Sequence, residues 1–158
     1  MNKESKIFQR ILLKGIDLME YNLYSFERIH VFNENTSNEY ITISFLNKLL
    51  NKYLTFSFYP PNRAITNNEI TVGLSELDKY GNWSSFDIPT FLAYKELNRI
   101  VCYEDKEKYR FKLNPENLEA SINEQLQKIK NILNTDLNKI LTTKEWISIP
   151  THDPRDDY

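Results

Sequence analysis

Tyr40-Ile41-Thr42-Ile43-Ser44-Phe45-Leu46, Tyr53-Leu54-Thr55-Phe56-Ser57-Phe58-Tyr59 and Glu69-Ile70-Thr71-Val72-Gly73-Leu74-Ser75 share one pattern: apolar and polar residues alternate along each stretch. In a β-strand successive side chains point to opposite faces, so a period of two sorts the residues into two surfaces. Ile41, Ile43, Phe45, Leu54, Phe56, Phe58, Ile70, Val72 and Leu74 form one face, which is expected to meet helices. Tyr40, Thr42 and Ser44 fall on the other, beside Tyr53, Thr55, Ser57 and Tyr59. That second face is polar and aromatic without being strongly charged.

The flanking segments follow from these strands. Leu23 to Phe32 reads as a first strand, apolar on both sides, with Tyr24, Phe26 and Phe32 on one and Leu23, Ile29 and Val31 on the other; its inward side stays open. Asn33 to Asn38 supplies turn residues, and Pro60-Pro61 ends the third strand by removing two backbone donors. The fourth strand follows a loop containing Asn67-Asn68. Before the sheet, Lys3 to Glu20 reads as an amphipathic helix burying Ile7, Ile11, Leu12, Leu18 and Met19, weakened at Gly15. After it, Asp78 to Trp83 reads as a loop and Ser84 to Val101 as a helix with Ser85 or Asp87 as cap and Phe91, Leu92, Leu97, Ile100 and Val101 inward. Residues 102–113 read equally well as a hairpin or a loop. Asn114-Pro115-Glu116 marks a helix start, with Leu118, Ile122, Leu126, Ile129, Ile132 and Leu133 at three- and four-residue steps. A restart or continuation through Leu137, Ile140 and Leu141 leads to Trp146. The fold class expected is α+β: an antiparallel sheet of about four strands with the N-terminal helix and later helices on one face. Residues 1–150 form the single domain and 151–158 a polar tail.

Composition narrows the function classes. In 158 residues, 41% hydrophobic and 27% charged, no run of about 20 apolar residues occurs, so a membrane partner is not expected. A net charge of −2 without a basic block argues against nucleic acid, whose affinity rests on clustered Lys and Arg. With only Gly15, Gly73 and Gly81, no glycine-rich phosphate loop can be built. Cys102, His30 and His152 lack zinc-ligand spacing, and no cofactor or metal is expected. The single cysteine fits the cytoplasm, and its position after Ile100-Val101 reads as a small buried hydrophobe rather than a nucleophile. His152 to Asp157 carries oxygen ligands but lacks calcium-loop spacing, and reads as a solvated tail.

Two sets of candidate site residues remain. Tyr40, Thr42, Tyr53, Thr55 and Tyr59 offer aromatic area and adaptable hydrogen bonds, the chemistry of a protein-recognition surface. Arg28 and His30 share a face two residues apart, Glu27 pointing the other way, and a cleft near them lined by Arg63 and Tyr59 would suit an enzyme.

The order of helix, strand meander, helices and a tail containing Lys144-Glu145-Trp146-Ile147-Ser148-Ile149-Pro150 resembles the immunity proteins that protect bacteria from polymorphic toxins. The resemblance covers the architecture and carries over no site residues. It implies a non-catalytic binder that occludes a toxin. The function expected is therefore a cytosolic protein-binding module; the alternatives are a small enzyme using the Arg28 and His30 cleft, and a homo-oligomer whose sheet face is a permanent contact.

Overall fold

A computed structural model describes residues 1–15, 23–61 and 68–152. The chain runs α1 (Lys3–Lys14), β1 (Ser25–Phe32), β2 (Tyr40–Asn47), β3 (Lys52–Tyr59), β4 (Glu69–Leu77), β5 (Trp83–Asp87), α2 (Ile88–Leu97), β6 (Val101–Cys102), β7 (Phe111–Lys112), α3 (Leu118–Asn134), α4 (Asn138–Thr142) and β8 (Thr151–His152). It is a single-domain α+β fold. β1 to β5 form an antiparallel meander in chain order, with β7 added to β4; β6 and β8 pair in parallel apart from it.

The alternation read from sequence is the alternation of burial. Ile41, Ile43, Phe45, Leu54, Phe56, Phe58, Ile70, Val72 and Leu74 are all buried, in one core with side chains from all four helices. α1 contributes Phe8, stacked on Phe58 at 4.8 Å, and Leu12. Phe8 is thus the centre of the α1 stripe, and Ile7 and Ile11 lie at its margins, half-buried. α1 ends at Gly15; the expected continuation through Leu18 and Met19 lies outside the described residues, as does Asn67. α3 buries Ile122, Leu126, Ile129 and Leu133 as its spacing predicts. It starts one turn late, because Asn114 accepts from the Glu116 amide and first shapes a 3-10 turn over Pro115–Asn117.

Two segments differ from the sequence reading. The expected helix over Ser84 to Val101 begins only at Ile88, since Trp83–Asp87 pairs with β4 as a fifth strand. Asp87 is the cap, accepting from the Thr90 amide at 2.8 Å, and Asn98 in left-handed conformation (φ 51°) ends the helix. Leu97 and Ile100 are consequently exposed, and only Val101 beyond them returns to the interior. Residues 102–113 form neither hairpin nor plain loop: β6 and β7 pair with other strands, and a 3-10 segment, Tyr103–Tyr109, joins them. Cys102 is half-buried there rather than buried, its amide donating to Asp105.

Lys52 occupies an inward position of β3, two residues before Leu54, and is 2% exposed. Burying an ammonium is costly unless its protons are all satisfied. Lys52 Nζ donates to the carbonyls of Ile140 (2.5 Å), Thr143 (2.6 Å) and Glu145 (2.6 Å), which matches its three protons. These carbonyls lie at and just beyond the C-terminus of α4, where acceptors lack helical partners and a cation is favoured. Burial lowers the Lys52 pKa from the ordinary lysine value, and the Glu76 and Glu145 carboxylates oppose that shift. The Trp146 ring lies 5.6 Å from the ammonium, packs on Phe86 and donates through Nε1 to Ser84. A further carbonyl of α4, that of Leu141, accepts from the Tyr24 hydroxyl at 2.9 Å, and burial pushes that hydroxyl's pKa up, keeping it a donor.

Phe56→Ala removes a ring that is 1% exposed at the centre of the core, and is expected to cost about 3 to 5 kcal/mol in denaturant unfolding; normal stability would mean the two sheet faces are reversed. Lys52→Met leaves carbonyls of Ile140, Thr143 and Glu145 unpartnered and should cost about 2 kcal/mol or more, with faster hydrogen exchange across 140–146. An unchanged midpoint and exchange pattern would show that these contacts do not hold the segment.

Candidate functional site

With the α-helices on the inner face, the other face of the sheet is built mainly from strand side chains, joined at one edge by Arg110, which donates to Glu69 at 3.1 Å. Antiparallel register puts opposed residues on the same side. His30 faces Thr42 and Ser57, Arg28 faces Ser44 and Thr55, and Phe32 faces Tyr40. Beyond them Tyr53 faces Ser75 and Ser85, and Tyr59 faces Glu69. All five residues expected on the recognition surface, Tyr40, Thr42, Tyr53, Thr55 and Tyr59, stand on this face, half-buried against one another.

The face has two aromatic groups separated by hydroxyls. At one end His30, Phe32, Tyr40 and Tyr59 stack in sequence, with ring centroids 4.0, 4.6 and 5.0 Å apart. At the other, Tyr53 and Trp83 meet at 5.3 Å, Trp83 being 55% exposed. Between them Ser44 and Thr55 hydroxyls bond at 3.1 Å, and Ser85 bonds to Ser75 at 3.0 Å. Offset ring stacks fix their members without a covering layer, while hydroxyls satisfied by one another can rotate towards a new partner.

A β-bulge decides what β1 contributes. Its register shifts between Phe26 and Arg28, so Phe26 faces Phe45 on the core side while Ile29 and Val31 face Ile43 and Ile41 there too. The extra residue reverses the parity, separating Phe26 from Phe32, which strict alternation places together. It also brings Glu27 to the outer face, where its carboxylate accepts from the Tyr53 hydroxyl at 3.4 Å instead of pointing away from Arg28. Glu27, Arg28, Ser44, Tyr53, Thr55, Ser75 and Trp83 line a shallow cleft of about 230 Å³.

The residues of the enzyme alternative are only partly brought together. Arg28 lines the cleft, His30 is stacked on Phe32 outside its lining, and Arg63 lies outside the described residues. The described members of both sets, Arg28 and His30 with the five recognition residues, therefore belong to one surface rather than to two sites. Trp83, Phe32 and Glu27 are additions that the sequence reading did not place here. For Trp83 the signal was present: in Trp83-Ser84-Ser85-Phe86-Asp87 the residues Ser84 and Phe86 turn inward and Trp83 and Ser85 outward. The Trp146 segment, which could have covered this face, lies on the inner side against Phe86 and Ser84.

Among the described residues no helix is long and apolar enough to cross a membrane, and no cluster of three metal-ligating side chains occurs. In comparisons with known proteins, no family model, no curated protein and no solved structure matches the chain.

Proposed function

We propose that this chain is a protein-binding module whose outer sheet face is its contact surface, and that it acts in the cytosol as an immunity-type protein does, by covering a toxin partner. One observation carries the reading: a half-exposed layer of stacked aromatics and paired hydroxyls lies on the sheet face opposite the helices. Tyr and Trp supply contact area at small entropic cost, and Ser and Thr adapt their hydrogen bonds, which is the composition of recognition surfaces. The single thiol and the resemblance of the architecture to bacterial immunity proteins support the cellular setting. The lone Arg28 of the cleft and the net charge of −2 favour a protein surface over a phosphate backbone.

Within this reading Tyr53 with Trp83 and Tyr59 with Tyr40 are the anchors. The product of the reading frame adjacent to this gene is the first partner to test, by co-purification and calorimetry. Tyr53→Ala or Tyr59→Ala should weaken that complex roughly tenfold or more, equivalent to about 1 to 2 kcal/mol, with little change in stability. His30→Ala should leave it nearly intact. Wild-type affinity in both tyrosine variants sinks the proposed surface, and loss of a chemical activity in His30→Ala would move the reading to an enzyme.

A further inference from the structure

We infer that the outer edge of β1, unpaired among the described residues, pairs antiparallel with the same edge of a second copy of this chain, with His30 opposite its own counterpart on the two-fold axis. β1 ends the strand order, and no described strand pairs along its outer side. Such an edge presents unpaired amides and carbonyls, a template for another strand, unless bulges, charges or proline blunt it. In β1 the blunting is confined to one end. The bulge between Phe26 and Arg28 carries the Glu27 charge, whereas Arg28 to Phe32 is in regular register and contains no proline, with Arg28 at its border. At the other end Asn33, in left-handed conformation (φ 51°), turns the chain away.

The regular stretch between these limits selects the register. A two-fold axis normal to the sheet pairs only residues that share a face, and Arg28, His30 and Phe32 are on one while Ile29 and Val31 are on the other. Centring on His30 uses the whole stretch: Ile29 lies against the second copy's Val31, and Arg28 against its Phe32. The first pair extends the apolar inner layer, in which Ile29 and Val31 are only half-buried. The second sets the Arg28 side chain across from Phe32, whose ring faces are already taken by His30 and Tyr40, so the apolar Ile29 and Val31 pair supplies the attraction. Centring on Ile29 would instead set Arg28 beside the second copy's His30 and run into the bulge; centring on Val31 would carry the pairing past Asn33. The outer faces of the two copies then join into one surface. This inference is independent of the toxin-binding reading.

The test is sedimentation equilibrium of the full chain up to roughly 1 mM, since a strand pair this short makes a small, weak interface, together with oxidative cross-linking in a Cys102→Ser background. Residues directly opposed across antiparallel strands have Cα atoms about 4.5 to 5.5 Å apart, within disulfide reach. His30→Cys should therefore cross-link two copies. Thr42→Cys, on the same face but one strand inward, should not, its two copies being roughly 14 Å apart. Ile29→Lys, an edge charge placed in the contact, should reduce association at least tenfold while the monomer stays folded by circular dichroism. A chain monomeric throughout the concentration range overturns the inference whatever the fate of the partner-binding surface. So does a dimer that cross-links through Thr42→Cys rather than His30→Cys.

Discussion

One buried ammonium holds the layers of this protein in their order. Lys52 stands at an inward position of a central strand, and its protons go to the carbonyls of Ile140, Thr143 and Glu145 at the end of α4. The desolvation of a lysine is tolerable there because the carbonyls at a helix C-terminus are themselves short of donors. Each side supplies what the other lacks. The Tyr24 hydroxyl, just ahead of β1, completes the arrangement at Leu141, so Lys52 and Tyr24 satisfy much of the end of the last helix.

The consequence reaches the functional surface. The segment after α4 could in principle lie along either face of the sheet, since Trp146, Ile147 and Ile149 are apolar enough to cover strands. Lys52 draws it to the inner side, where Trp146 fills the space beside Phe86 and donates to Ser84. The outer side is left mainly to its own side chains, with Arg110 at the Glu69 edge. There the aromatic rings limit their exposure by stacking, from His30 to Tyr59 at one end and between Tyr53 and Trp83 at the other. A surface of this kind is stable without a cover and still presents large rings to a partner.

β1 is the variable member of the sheet. Its bulge re-aims Glu27 and Phe26, while its pairing to β2 beyond the bulge remains regular and keeps Arg28 in the cleft lining. A bulge next to a binding surface is a common device for steering a side chain out of strict alternation. Here it adds Glu27 to a face that the regular register beyond it already makes continuous, Arg28 and His30 of β1 standing beside the five candidates on β2 and β3.

The amino-acid sequence by itself determined which residues of β2, β3 and β4 face the core and which face out, because a period of two is a local property that burial of one face makes unambiguous. It determined the stripe of α3 in the same way, from Ile122, Leu126, Ile129 and Leu133. Trp83 to Asp87 escaped because cap and strand signals overlap there: Asp87 ends β5 and caps α2 at once. Only the tertiary structure decided the bulge, which exists solely in the pairing of β1 with β2. It alone decided the role of Lys52, whose acceptors lie 88 to 93 residues further along the chain. No local pattern encodes an acceptor at that distance. The side of the sheet taken by the Trp146 segment, and with it the exposure of the outer face, depends on that long-range contact.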